Sequence, residues 1–330
     1  MTGHSTADAP LRVGVAGLGR IGALHARNLF GEVPFARLVA VADIDGERAR
    51  QTGERYGVAW TTDLDSFLAD QALDAVVLAT PTASHPDHVE AAARAGKAIF
   101  CEKPLGLDEQ RTRGPRCGRA LRRTAPGGSA PPLRSRHQRR PRPRHRRPDR
   151  SSVLLPHVVA RHDAPTLEYI KVSGSFFVDV SIHDLDLARW LVGEIVEVSA
   201  TGSSVSNPAY DELGTVDQAV IVVRFENGAL GVIDNSRIAG YGYEASSEIV
   251  GAEATLRIDH SQRTNLTVLS GESARRDHVV DFVERFRDAY RLELVSFVDG
   301  PKPSPRRRRW MGCARGVHPR LRGRPVLAVG

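Results

Sequence analysis

From Leu11 onward, short apolar runs alternate with stretches of helical spacing. "LRVGVAG" is a continuous apolar run of the length a buried strand needs, and "LGRIGALHARNLF" then places Ile21, Leu24, Ala26 and Leu29 at roughly helical intervals. "ARLVAVAD" predicts a second strand and "GERARQTGERYGV" a helix. "LDAVVLATP" and "KAIFCEKP" predict two more strands, joined by a helix in "HPDHVEAAARAG" with Gly96 at its C-terminal cap. This alternation predicts an α/β domain with a parallel, doubly wound Rossmann-type sheet over residues 1–110.

The order stops after Leu107, and residues 111–157 carry neither the strand nor the helix period. Regularity returns with "EYIKVSGSFFVDVSIHDLDLARWLVG". "QAVIVVRFENGALGVIDNSR" and "EASSEIVGAEATLRID" then alternate as half-buried strands do, with "ENG" as a hairpin turn. Residues 158–300 are therefore expected to form an α+β domain on a mainly antiparallel sheet. An amphipathic helix in "RDHVVDFVERFRDAYRLELVSFVDG" is expected to close it and to pack its apolar face on the first domain.

Composition adds one correction. The chain has 330 residues, enough for two domains, and a formal charge of +7. Residues 111–150 carry +14 and residues 301–330 carry +9, so the other 260 residues sum to −16 and the body of the protein is acidic. Cys101, Cys117 and Cys313 fall at no metal or redox spacing, which favours unpaired thiols in a reducing compartment. The first ten residues lack a basic and then apolar leader, and no apolar run is long enough to span a bilayer. A cytoplasmic protein without a membrane partner is expected, as a homo-oligomer, dimer or tetramer.

The chemistry concentrates in five places. Gly17-Leu18-Gly19-Arg20-Ile21-Gly22 is a G-x-G-x-x-G placed directly after a strand and opening a helix, the context a dinucleotide pyrophosphate requires. Asp43 ends the second strand, 21 residues after Gly22, where a carboxylate can accept both ribose hydroxyls of NAD and repel the extra phosphate of NADP. Arg48 leaves use of both cofactors open. "ATPTASH", with Thr80, Pro81 and His85, and "CEKP", with Glu102 and Lys103, stand at the C-terminal ends of successive strands, where ligands bind in open sheets. A lysine there can reach a substrate hydroxyl beside the nicotinamide, although a solvated loop lysine has the same sequence signal. Lastly, Asp179, His183 and Asp186 share one face of a helix, with Val180, Leu187, Trp190 and Leu191 forming the apolar remainder. A carboxylate one turn from an imidazole holds it in one tautomer and makes it more basic, as a general base requires. A helix cap with a surface histidine, or a metal site on His183 and Asp186, would look alike; with no third ligand in sight, no metal is expected.

These five pieces, in this order, resemble the Gfo/Idh/MocA oxidoreductase family, and its inositol dehydrogenase branch most closely. The resemblance is carried by "VAGLGRIGALHARNL", "VAVADIDGERA", "VVLATPTASH", "FCEKPLGLDE", "LEYIKVSGSFFVDVSIHDLDLARWLVGE" and "GALGVIDNSR" with "YGYE" after it. It implies NAD-linked oxidation of a ring hydroxyl of a cyclic polyol or sugar to a ketone. It further implies Lys103, Asp179 and His183 as catalytic residues, with Gly17, Gly19, Arg20, Ile21, Gly22, Asp43, Thr80, Pro81, His85 and Glu102 around the cofactor. Tyr241 or Tyr243 would touch the polyol. Another sugar or polyol dehydrogenase of the family, or a non-catalytic dinucleotide or sugar sensor on the same fold, are the competing readings; a sensor would not need Lys103 and His183 together.

The run "PPLRSRHQRRPRPRHRRPDR" departs from that pattern. Where the resemblance implies a helix, a strand and an Asn-Arg-Arg-Phe-Asp-Pro loop, this chain has residues 111–157. Pro131 to His137 can be encoded CCG CCG CTT CGA TCC CGA CAT. Read one nucleotide later, that string gives Arg-Arg-Phe-Asp-Pro-Asp, the implied loop. Out-of-frame reading also explains why Arg and Pro crowd in while acids vanish, both here and in part of the basic tail at 301–330. A nucleic-acid-binding arm would bring aromatic side chains to stack bases, and this run has none, so no nucleic-acid partner is expected. A solvated linker is the remaining alternative.

Overall fold

The computed structural model describes residues 9–107, 158–160, 165–259 and 262–299. The arginine-rich run at 111–157, apart from the strand at 158–160 that follows it, and the basic tail at 301–330 lie outside the described residues, and so does the out-of-frame reading made for them. The chain divides into two compact units.

The first unit begins β1 (Leu11–Ala16), α1 (Arg20–Gly31), β2 (Ala36–Ala42), α2 (Gly46–Tyr56), β3 (Ala59–Thr61), α3 (Leu64–Ala69), β4 (Ala75–Leu78), α4 (His85–Arg94) and β5 (Ala98–Cys101). Its five strands are all parallel in the order β3-β2-β1-β4-β5. Strand parity divides the core in two. Val13, Val15, Val77 and Phe100 point to one face with Ala26 and Leu29 of α1. Val76, Leu78, Ile99 and Cys101 point to the other, with Phe67 and Leu68 of α3 and Val89 and Ala92 of α4. Covered on both faces, the strands read as continuous apolar runs, which is why they were legible as a parallel sheet. Local chemistry fixes the helix ends: Asp45 accepts from the N–H groups of Glu47 and Arg48 at the start of α2, and Gly57 closes it in the left-handed region. At the end of α4 the cap is Ala95, one residue earlier than expected, and Gly96 follows it with φ +74°.

The second unit contains β6 (Val158–Ala160), α5 (Leu167–Ser173), a π-helical turn (Phe177–Ser181), α6 (Ile182–Leu191), β7 (Ile195–Ser203), α7 (Ala209–Glu212) and β8 (Gln218–Phe225). It continues with β9 (Leu230–Ser236), β10 (Glu244–Val250), β11 (Thr255–Ile258), the small hairpin β12 (Thr267–Ser270) and β13 (Ser273–Arg276), and α8 (Phe282–Arg285). Six strands form a sheet in the order β11-β10-β6-β9-β8-β7, antiparallel throughout except for the β6–β9 pair. β8 alternates as predicted: Ala219, Ile221, Val223 and Phe225 are buried, while Gln218, Val220, Val222 and Arg224 face out. The buried set packs with Ile233 of β9 and Ala188 of α6.

Two expectations are corrected. Trp190 was assigned to the apolar face of its helix but is 44% exposed, because α6 turns Asp184, Leu187 and Ala188 inward and Trp190 lies to one side of that stripe. The single closing helix is instead two, α8 and α9 (Arg287–Val298). Only α9 joins the core of the first unit, through Leu294 and Phe297 against Phe100 and its neighbours.

Candidate functional site

In the first unit, the turn from β1 to α1 shows why three glycines are spaced as they are. Gly17 has φ +84°, and a Cβ there would lie 2.5 Å from the carbonyl oxygen of Ala79; a Cβ on Gly22 would lie 1.7 Å from the carbonyl oxygen of Gly17. Nothing stands within 4 Å of a Cβ built on Gly19, so the turn is open there, beside the exposed Arg20 and half-buried Ile21 that start α1. Asp43, its side chain 4% exposed, accepts from the Leu18 N–H at 2.6 Å and the Asp45 N–H at 2.9 Å, with Arg48 Nη1 3.4 Å from both carboxylate oxygens. The acid at the end of β2 thus touches the glycine turn itself. An open backbone cradle at a helix N-terminus, closed by a carboxylate on the next strand, fits the pyrophosphate and ribose of NAD.

The loops after β4 and β5 are tied together by histidines. His85 is 1% exposed, with Nδ1 2.8 Å from the Pro104 carbonyl oxygen and Nε2 2.7 Å from that of Thr80. His88 Nδ1 lies 2.8 Å from the Thr80 hydroxyl. Burial, followed by the neighbouring His85, lowers the His88 pKa. His85 was expected beside the cofactor; both its ring nitrogens are spent on main-chain carbonyls, so what it offers the site is the placement of Thr80 and Pro104. Pro81 is exposed at the mouth of that loop.

Glu102 shows the same economy. One carboxylate oxygen lies 2.6 Å from Nε2 of the fully buried His25 on α1, and the other accepts from the Lys103 N–H at 3.2 Å. Burial alone would raise the Glu102 pKa, but the hydrogen bond and charge of His25, with Lys103 beside it, outweigh burial and hold it below the usual carboxylate range. From α9, Glu293 brings Oε1 to 4.0 Å from the same imidazole nitrogen. Neither Glu293 oxygen has a hydrogen-bond partner, and burial, reinforced by Glu102, pushes its pKa well above the ordinary value. The donor atoms of His25, Glu102 and Glu293 all lie within 4.8 Å of one another. The 2.6 Å His25–Glu102 contact is a hydrogen bond. Lys103, half-buried, precedes a cis peptide bond to Pro104.

In the second unit, Asp179 lies within the π turn and is 3% exposed. Its two oxygens accept from Arg237 Nη1 at 3.1 Å and the Tyr169 hydroxyl at 2.9 Å. Arg237 is fully buried, lies 5.3 Å from the centre of the Phe176 ring, and keeps Nε and Nη2 without partners. His183 is exposed on α6; Asp184 beside it is buried and accepts from Asn235 Nδ2 at 2.7 Å. Of the two tyrosines, Tyr243 is packed among Phe282 and Phe286, whereas Tyr241 is 53% exposed beside His278, its hydroxyl 3.5 Å from a Glu244 oxygen. Tyr241 is thus the more exposed of the two.

Arg237, Tyr169, His25 and Glu293 escaped the sequence reading. One signal was available: Gly231, Ile233 and Asn235 point inward along β9, and Arg237 continues that parity, so a buried arginine in need of an acid was implied.

Comparison with known proteins agrees with this geometry. Residues 11–113 match the model of the "Oxidoreductase family, NAD-binding Rossmann fold", and residues 150–257 that of the "GFO/IDH/MocA C-terminal domain". The chain is 37% identical over 299 residues to scyllo-inositol 2-dehydrogenase (NAD(+)) of Bacillus subtilis, covering 88% of this chain and 85% of the relative. It is 37% identical over 302 residues to Myo-inositol 2-dehydrogenase of Thermotoga maritima, covering 88% of each. Among solved structures, scyllo-inositol dehydrogenase from Lactobacillus casei, with bound NAD(H) and scyllo-inositol, superposes with a TM-score of 0.74 at 26% identity over 88% of each chain. With family models matching residues 11–113 and 150–257 and a relative 37% identical over 88% of this chain, the chain belongs to the Gfo/Idh/MocA oxidoreductase family.

Proposed function

We propose that the chain is an NAD-dependent dehydrogenase that oxidises a ring hydroxyl of an inositol-like cyclic polyol to the ketone. The observation that carries this reading is Lys103, held after β5 by Glu102 and Pro104 in the same unit as the glycine turn, in a chain 37% identical to two inositol 2-dehydrogenases. NAD, when bound, accepts the carbinol hydrogen as hydride. The chain's own residues have three tasks. Gly17, Gly19 and Gly22 open the backbone to the pyrophosphate, and Asp43 accepts from the ribose hydroxyls. Lys103 donates to the reacting oxygen and stabilises the negative charge that grows on it. His183 takes the hydroxyl proton, with Asp179 supplying a fixed carboxylate in the same helical segment.

The outward face of the large sheet supports assembly. Val220 and Val222 of β8 and Leu230 of β9 are each 40% or more exposed, a patch that a second copy of the chain would cover. We read the protein as a homo-oligomer on that ground, to be checked by its mass in solution. Among the described residues no helix is long and apolar enough to cross a membrane. Cys101 is buried and in no disulfide, its Sγ 3.5 Å from the Glu102 carbonyl oxygen, in keeping with a cytoplasmic, reducing setting.

Steady-state turnover of a panel of inositols and hexoses with NAD and with NADP tests the assignment. Cyclic polyols with NAD should give the highest kcat/KM; equal or better efficiency with NADP would remove Asp43 from the role given to it. The nucleotide sequence across codons 105–165, read in all frames, tests the origin of the arginine-rich run.

A further inference from the structure

His85 has an environment that an ordinary neutral imidazole cannot satisfy. Its two ring nitrogens face two carbonyl oxygens, those of Pro104 at 2.8 Å and Thr80 at 2.7 Å, and the residue is 1% exposed. A carbonyl oxygen only accepts hydrogen bonds. A neutral imidazole has one N–H, so one of these contacts would then set a bare nitrogen lone pair against an oxygen lone pair at hydrogen-bond distance, with no room for water between them. Only a ring protonated on both nitrogens makes two hydrogen bonds here.

We propose that His85 is a positioning residue for the dehydrogenase site, a doubly protonated imidazole whose two N–H groups bind the loop after β4 to the loop after β5 and so hold Lys103 in place. Thr80 and Pro104 are the two anchor points. Thr80 is the first polar residue after β4, and Pro104 directly follows Lys103. On the opposite side, the Lys103 N–H is held by Glu102, which His25 holds in turn. Lys103 is thereby fixed from both neighbours in sequence by buried histidines. A lysine that must meet a developing charge within a few tenths of an ångström gains from such a mount, since small displacements of a reacting group cost large factors in rate.

Among the described residues, titratable and charged groups lie on the elements that meet His85. His88 and Asp87 share its helix; Asp65 of α3 acts with Asp87 on His88 in the sense opposite to His85. Lys103 and Glu102 belong to the loop that carries Pro104. Burial, followed by His85, lowers the His88 pKa.

The inference rests on the dehydrogenase reading only for the role of Lys103, and its test does not need turnover. The full chain labelled with 15N-histidine is observed by NMR at about pH 7.5, where an unperturbed imidazole is mostly neutral, and the His85 signals are assigned by their loss in His85→Gln. Two protonated ring nitrogens are expected at His85; one protonated and one bare nitrogen would overturn the proposal. In the second arm, His85→Gln, which can donate to one carbonyl but turns an acceptor oxygen toward the other, should lower kcat by about tenfold to a hundredfold with KM for NAD little changed. An unchanged kcat in His85→Gln would also overturn it. A wild-type chain that oxidised no polyol would count against the dehydrogenase reading alone, because the NMR result still decides the protonation state on which the clamp depends.

Discussion

The two units hold their chemical groups in different ways. In the first, Asp43, Glu102 and Lys103 follow the C-terminal ends of strands and His85 opens α4, and main-chain contacts hold them: the Leu18 N–H on Asp43, the Thr80 and Pro104 carbonyls on His85, the Lys103 N–H on Glu102. In the second, Asp179 lies inside a helical segment and is held by side chains, Arg237 from 58 residues away and Tyr169 from 10. A site set by backbone geometry tolerates loss of one side chain better than a site set by a buried ion pair, where removing one partner strands the other charge.

That contrast can be broken by substitution. The largest effect is expected at the two groups proposed to act on substrate: Lys103→Ala and His183→Ala should each lower kcat by about two to four orders of magnitude while NAD affinity, measured by fluorescence titration, stays nearly intact. Loss of NAD binding in either variant would make that residue structural. Next comes Arg237→Met, which removes the buried guanidinium that faces the Asp179 carboxylate. It should destabilise the second unit by about 3–5 kcal/mol in a denaturant titration, with Arg237→Lys costing less because the charge remains. A cost below about 1 kcal/mol would mean that the ion pair is not what holds Asp179.

The smallest effect belongs to Glu293. Its folded pKa is raised by burial, so the folded state binds its proton more tightly than the unfolded chain does. Folding stability is then lost as pH rises above the unfolded carboxylate value of about 4.3 and through the raised folded one. Glu293→Gln removes that loss. The variant should match the wild type at low pH and exceed it in Tm by a few degrees near neutrality, at about 2–4 °C per kcal/mol for a protein of this size. A lower Tm at neutral pH would show that Glu293 is charged and paired.

What could be foreseen follows the same division. The glycine turn, Asp43 and Lys103 were legible because each is set by local order: a strand, a turn, a helix start. The parallel sheet was legible because strands buried on both faces cannot hide their apolar runs. The π turn at Phe177–Ser181 was not, since nothing in the spacing of Asp179 and His183 distinguishes a wide turn from an α turn. The His25–Glu102 pair, 77 residues apart, and the choice of Tyr241 over Tyr243 as the exposed ring depend on which residues tertiary packing brings together. The break between α8 and α9 was missed for a related reason, as an apolar face in sequence does not say which core it will join.

The most direct test of the central claim is hydride tracking on the full chain, with an inositol carrying deuterium on its ring carbons and NAD as acceptor. Formation of NADH bearing one deuterium at nicotinamide C4, together with one equivalent of ring ketone, is the expected result, with both lost in Lys103→Ala. A chain that binds NAD but yields no deuterated NADH from any cyclic polyol would contradict the assignment.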